Sequence, residues 1–384
     1  MKSRQALNAE LTRRSWIVLA ASALSGCGGG GGGSGSTASA PGTGGTGIYQ
    51  GSISGFGSVI INGVTYDNSQ AVMRLNDVIV SQDQLRLGMV ATVRGAHVTG
   101  TTLGTANQVD VWSVAQGVAS AVSVGQFEVA GMHILTTSAT WFYGSTSGTD
   151  VADGDYVSVW GLQADKDGHI WTASCVMVSG ASTEAVSSGM LHSEHGQYTL
   201  NDLLLSGTAA NGLTDGMLVR VQGSWASANH LVLANVKPID NAVLAQSSGA
   251  VEIDGVVTTA PSGTGFMLGS ITVEATPASY SPLGASITLG ARVEVYGSWV
   301  GSVLKATKVE LEDASNTGLI EIKSVFQQFT SLSDFVMQGQ HCNASGATLS
   351  QTTANALAQK GAIFKVKGVK NGDWLNVSEM ELDH

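Results

Sequence analysis

One eight-residue pattern recurs five times, and it constrains the fold more than any other feature of the chain. It reads Gly88-Met-Val-Ala-Thr-Val-Arg-Gly95, Gly154-Asp-Tyr-Val-Ser-Val-Trp-Gly161 and Gly216-Met-Leu-Val-Arg-Val-Gln-Gly223. The last two copies are Gly290-Ala-Arg-Val-Glu-Val-Tyr-Gly297 and Gly361-Ala-Ile-Phe-Lys-Val-Lys-Gly368. Successive copies begin 66, 62, 74 and 71 residues apart, which marks a repeated structural unit. Inside each copy apolar and other residues alternate, the period of a strand with one buried face. Val157 and Val159 face one way, and Tyr156, Ser158 and Trp160 the other. The same alternation sets Arg220 and Gln222, then Arg292, Glu294 and Tyr296, then Lys365 and Lys367 opposite the core. The pattern therefore predicts one core face and one mostly wet face.

Other elements travel with this marker strand. A Gly-led strand precedes it, at Gly51, Gly117, Gly189, Gly249 and Gly318. A strand opening on an aromatic follows that one, as at Phe127, Tyr198 and Phe266. A turn and a last strand come after the marker, with hairpin chemistry at Asp167-Gly168 and Asn371-Gly372. Each unit reads as three strands, a short connector and two strands, and segments 81–87 and 352–359 suit a helical turn in that connector. This order predicts an all-β chain, a tandem array of five small OB-like five-stranded barrels. An immunoglobulin-like sandwich needs more strands and about 100 residues per unit. The expected modules are 48–113, 114–182, 183–241, 242–314 and a divergent 315–384. Barrels this small have marginal cores, so neighbours are expected to share surface.

The N-terminus reads as an address. Residues 1–27 carry a basic stretch ending at Arg13-Arg14, an apolar run over 16–24, then Leu24-Ser25-Gly26-Cys27. The run is too short to span a bilayer but suits a signal peptide. Residues 28–47 are almost all Gly, Ser, Thr and Ala, a flexible, disordered tether.

Two resemblances follow from these residues. Leu24-Ser25-Gly26-Cys27 resembles a bacterial lipobox, which implies that Cys27 is acylated after cleavage and holds the chain to a membrane. Two or three acyl chains, palmitate among them, anchor stably at about 0.8 kcal/mol per buried methylene. Gly28 follows where Asp would favour the inner membrane, so the resemblance points to the outer membrane, facing periplasm or exterior. Thr12-Arg13-Arg14-Ser15-Trp16 also resembles a twin-arginine signal, leaving the export route open. The marker strand and the trailing Ala-x-x-Val, at Ala106 and Ala306, resemble the exported bacterial family DUF5666. The resemblance covers residues 48–313 and, more weakly, the fifth unit, which has Phe364 where Val is usual. That family implies no activity, hence no catalytic residues.

Charge narrows the partners. Without residues 1–27 the chain keeps 14 basic and 28 acidic residues, so a phosphate backbone is repelled and nucleic acid is not an expected partner. Cys175 and Cys342 have no metal-ligand spacing and read as separate buried thiols, with a disulfide between them as the alternative. His192-Ser-Glu-His195 reads as a solvated loop, since two histidines need further ligands to hold a metal. Asp165-Lys-Asp167-Gly168-His169 lacks the acidic ligands of a calcium loop and reads as a hairpin turn. No nucleophile elbow or Walker loop occurs, so no catalytic residue, metal site or cofactor is expected, and a hydrolase ranks last. The aromatic residues remain: Trp171, Trp225, Trp299 and Trp374 near the last hairpin, with Trp160 and Tyr296 on the outward face of the marker strand. They are expected either to bind a ligand by stacking or to plug barrel ends and seal modules together. The leading expectation is a non-enzymatic envelope scaffold or adhesion surface with an unknown protein partner, and the alternative is a glycan-binding module.

Overall fold

The computed structural model describes residues 47–98, 101–144, 151–239, 249–312 and 318–383. It explains both glycines of the marker. The first has a positive φ in every copy: +81° at Gly88, +92° at Gly154, +78° at Gly216, +81° at Gly290 and +82° at Gly361. A side chain is strained there, so Gly turns the connector into the strand. The last glycine sits at a shift of register against the final strand in every copy. A Cβ on Gly95, Gly161, Gly223, Gly297 or Gly368 would stand 2.0–2.3 Å from a carbonyl oxygen of that strand. The marker is thus a strand that begins in a tight turn and ends in a β-bulge.

The strands close into OB-like barrels. In 47–111 the opening strand Gly47–Phe56 pairs antiparallel with Val59–Ile61, which pairs with Val64–Asp67. The last of these lies parallel to Leu103–Val111, which pairs antiparallel with the marker strand Val90–His97, and that strand returns to Gly47–Phe56. The same cycle closes in 115–179 and in 251–311. In 184–238 and 320–382 the cycle runs through an opening strand in two pieces, broken at Leu191 and at Phe326–Gln327. We refer to these five ranges as the first to fifth barrels. Connectors carry a 3-10 turn at Gln82–Gln84 and one α-helix, Gln351–Ala356, capped by the Ser350 hydroxyl. In the first, second and fourth barrels the connector also lays a short strand parallel to the last strand.

Inward marker residues are the core. Ala91, Val93, Val157, Val159, Val219, Val221, Val293, Val295, Phe364 and Val366 are all fully buried. Their partners correct one part of the sequence alignment. Gly51, Gly117 and Gly189 face the third residue after the leading glycine, but in the fourth and fifth barrels Gly255 and Ser324 do so, not Gly249 and Gly318. The two later glycines lie just before their strands rather than within them.

The barrels are not joined as beads on a string. The two ends of Gly47–Phe56 pair in parallel with different barrels: Ile48–Gln50 with Val251–Ile253, and Gly55–Phe56 with Glu321–Ile322. Glycine permits this approach, since a Cβ on Gly55 would meet the Glu321 carbonyl at 2.4 Å. The first, fourth and fifth barrels therefore share one sheet, and the second and third share another through Val186 and Gln116. The first and fifth barrels also share one apolar cluster, which takes in Trp141, Trp160 and Cys175 from the second. Cys175 and Cys342 are free and fully buried. The segment 1–27 with Cys27, and the linker up to residue 46, lie outside the described residues.

Candidate functional site

The expected wet face is the place where the structure departs most from the sequence pattern. Arg220, Glu294 and Trp160 are only 6%, 6% and 2% exposed. The alternation is as expected, but the outward faces pack against other barrels instead of water. Outward Lys365 and Lys367 of the fifth barrel keep a part-exposed, ion-paired surface, with Glu321 and Glu379, and outward Arg292 of the fourth barrel pairs with Asp254 in the same way. Where the outward faces meet imperfectly cavities remain, two of them lined by ionisable residues.

The first cavity, about 410 Å³, is lined by the first four barrels. Thr92 and Arg94 reach it from one marker strand and Arg220 from another, with Trp112, Trp171 and Asp110 beside them. Arg220 donates from Nε to the Ser113 carbonyl at 2.7 Å and from Nη2 to Asn76 Oδ1 at 3.1 Å. Burial pulls its pKa down to about 10, against the opposing charge of Asp77. Lys237 lies 4.3 Å over the Trp112 ring and pairs with Asp77 at 2.5 Å.

The second cavity, about 620 Å³, has an acidic wall from the fourth barrel: Asp254, Glu294, Glu310 and Glu312. Arg292 answers Asp254 in a two-pronged pair, at 2.9 and 2.5 Å. Glu294 Oε2 accepts from the Tyr296 hydroxyl at 2.8 Å. Its Oε1 and that of Glu252, 2% exposed, find no donor as two carboxylates. A proton on either carboxyl would supply a donor. Burial first, and then the Glu252 carboxyl beside it, push Glu294 up to about 9, and burial raises Glu252 as well. The buried Tyr66 hydroxyl, also without a partner, is pushed up by burial and then by Glu252. Glu294, Glu310 and Glu312 bring carboxylate oxygens within 4.8 Å of one another, the grouping among the described residues that could hold a metal ion. Lys308 already answers Glu310.

The structure scatters the aromatic candidates. Trp160 is embedded in the cluster of the first and fifth barrels, and its Nε1 has no partner. Trp171 is buried, donates to the Gly168 carbonyl at 2.8 Å and lines the first cavity. Trp225 packs between the cores of the second and third barrels. Trp299 leans on the fourth core, and Tyr296 lies under Lys308 at 4.8 Å. Trp374 is 37% exposed, with its ring 5.0 Å from that of His341. His192 and His195 are exposed, and Asp165 Oδ1 accepts from the Ile170 amide within its hairpin. Arg94, Trp112, Asp110 and Glu252 were not singled out by sequence. For the three ionisable residues the available signal was charge in a chain only 12% charged.

The fold and these junctions define a class of protein: an all-β chain of closed five-stranded OB-like barrels welded through their opening strands. Residues 116–175 and 254–310, within the second and fourth barrels, each match the profile of a domain of unknown function, DUF5666. The match supports both the domain and its repetition. No curated protein matches the chain.

Proposed function

We propose that this chain is a bacterial lipoprotein of the cell envelope, a non-enzymatic scaffold or protein-binding surface held to the outer membrane through lipidated Cys27. The observation that carries the scaffold reading is the pairing of one strand, Gly47–Phe56, with the opening strands of two other barrels. Backbone pairing between modules ties them to one another, which suits display of a surface better than a flexible string does. The export reading rests on Arg13-Arg14, the apolar run and Leu24-Ser25-Gly26-Cys27. Metabolic labelling with an alkyne palmitate analogue tests the anchor: the parent chain is labelled and Cys27→Ser is not. An unlabelled parent, or a labelled variant, overturns it. In-envelope crosslinking then tests the scaffold role, and a chain that crosslinks to no protein counts against it. A glycan-binding role is the second reading, favoured by the exposed Trp374 ring beside His341.

A further inference from the structure

The first cavity has an unmatched charge. Among its ionisable lining groups, Asp110 lies 3.5 Å from Arg74 and takes a hydrogen bond from Gln108. Asp254 is held by Arg292, and Lys237 by Asp77. Each carboxylate at the cavity thus has an arginine of its own, and the lysine has a carboxylate. Arg94 and Arg220 have no carboxylate at ion-pair distance among the described residues, and the Asp77 charge that acts on Arg220 is already paired with Lys237. Arg94 makes no ion pair or side-chain hydrogen bond with any described residue, although it is half-buried. Arg220 is 6% exposed, and its bonds go to a carbonyl, a hydroxyl and an amide oxygen, with no carboxylate within ion-pair distance among the described residues. A desolvated guanidinium is costly unless an anion meets it, and its fork fits a carboxylate or phosphate.

The rest of the lining is suited to the body of a small molecule. Trp112, Trp171, Leu162, Val256, Leu268 and Ile271 present apolar surface. The volume, about 410 Å³, falls in the range of roughly 300–1,000 Å³ typical of small-ligand pockets. Four barrels contribute to it, so the site exists only in the welded array.

We propose that this cavity binds a small organic anion, its carboxylate or phosphate group against Arg94 and Arg220 and its apolar body against Trp112 and Trp171. The proposal is independent of any protein-scale partner. It places a small-molecule site inside the body that the scaffold reading treats as inert.

The test titrates the full chain, purified in detergent, with benzoate, glucuronate and inorganic phosphate, and with benzyl alcohol as the uncharged match. Binding is read by Trp emission and by calorimetry. At least one anion is expected to bind saturably, and benzyl alcohol far more weakly. Arg94→Gln should weaken the anion roughly tenfold or more, because it removes a charge-assisted contact without touching any existing bond. Arg220→Gln should abolish binding, and its folding is checked by circular dichroism. Arg94→Gln keeps the test valid if Arg220→Gln unfolds. Lack of saturation by all three anions at millimolar concentration overturns the proposal. So does benzyl alcohol binding as well as benzoate, or anion binding undiminished in Arg94→Gln.

Discussion

Glu294→Gln tests whether a shared proton holds the junction between the first and fourth barrels. In the folded chain this carboxyl is pushed up to about 9, from an ordinary value of 4.5. Between those two pH values the folded state keeps a proton that the unfolded state has released. Its contribution to stability is complete below about 4.5 and drains away as pH rises towards about 9. One proton gives a slope of about 1.4 kcal/mol per pH unit, hence about 3 kcal/mol between pH 6 and pH 8. Gln keeps the neutral shape at every pH, and its amide can donate to the unpartnered Glu252 Oε1. The variant should therefore match the parent within about 1 kcal/mol at pH 5 and exceed it by roughly 4 kcal/mol at pH 8. Urea unfolding at pH 5, 6, 7 and 8, followed by Trp emission, gives the difference directly. Titrating groups that do not interact with Glu294 cancel in that difference, since both chains carry them. A difference that is constant across the four pH values refutes the shared proton, and so does a variant less stable at pH 8 than at pH 5 by the parent's margin.

Two further predictions test the marker and the exposed aromatic. Gly297→Ala should lower stability by about 2–4 kcal/mol, because its Cβ would meet the Lys305 carbonyl at 2.3 Å, whereas Gly290→Ala has open space and pays only left-handed strain of about 1–2 kcal/mol. Equal urea midpoints for the two variants would show that the bulge does not need its glycine. Trp374→Ala should leave the unfolding transition within about 0.5 kcal/mol of the parent, as for other surface positions, and abolish any fluorescence quenching by bound glycan. Quenching that survives the substitution removes Trp374 from the glycan reading.

The repeat and its alternation were legible because the same physical demand recurs in each copy. A turn requires Gly at one end, a bulge requires Gly at the other, and the core requires apolar side chains between them. The OB-like order was legible for the same reason, since each barrel must complete one cycle of local pairings. What sequence could not supply was the partner of each outward face. Nothing near Arg220 in the chain announces Ser113 and Asn76, more than a hundred residues earlier. The slip from Gly255 to Gly249 has a similar cause. Gly249 precedes the opening strand and Gly255 lies within it, and only the register with Val293 decides which one faces the marker.

The variability of the outward face has acquired a different meaning. Core positions repeat because all five units solve one packing problem, whereas outward positions differ because each barrel meets a different neighbour. Trp160 enters another barrel's core, Arg220 reaches the first cavity, and Glu294 shares a buried junction with Glu252. Lys365 and Lys367 remain at the surface. Aligning the units therefore averages away the very residues that build the cavities, because those residues occupy non-equivalent positions: Arg94 is the seventh residue of its marker and Arg220 the fifth of its own. A site made this way belongs to the assembly rather than to any one unit. Excising a single barrel would lose every cavity wall supplied by the others.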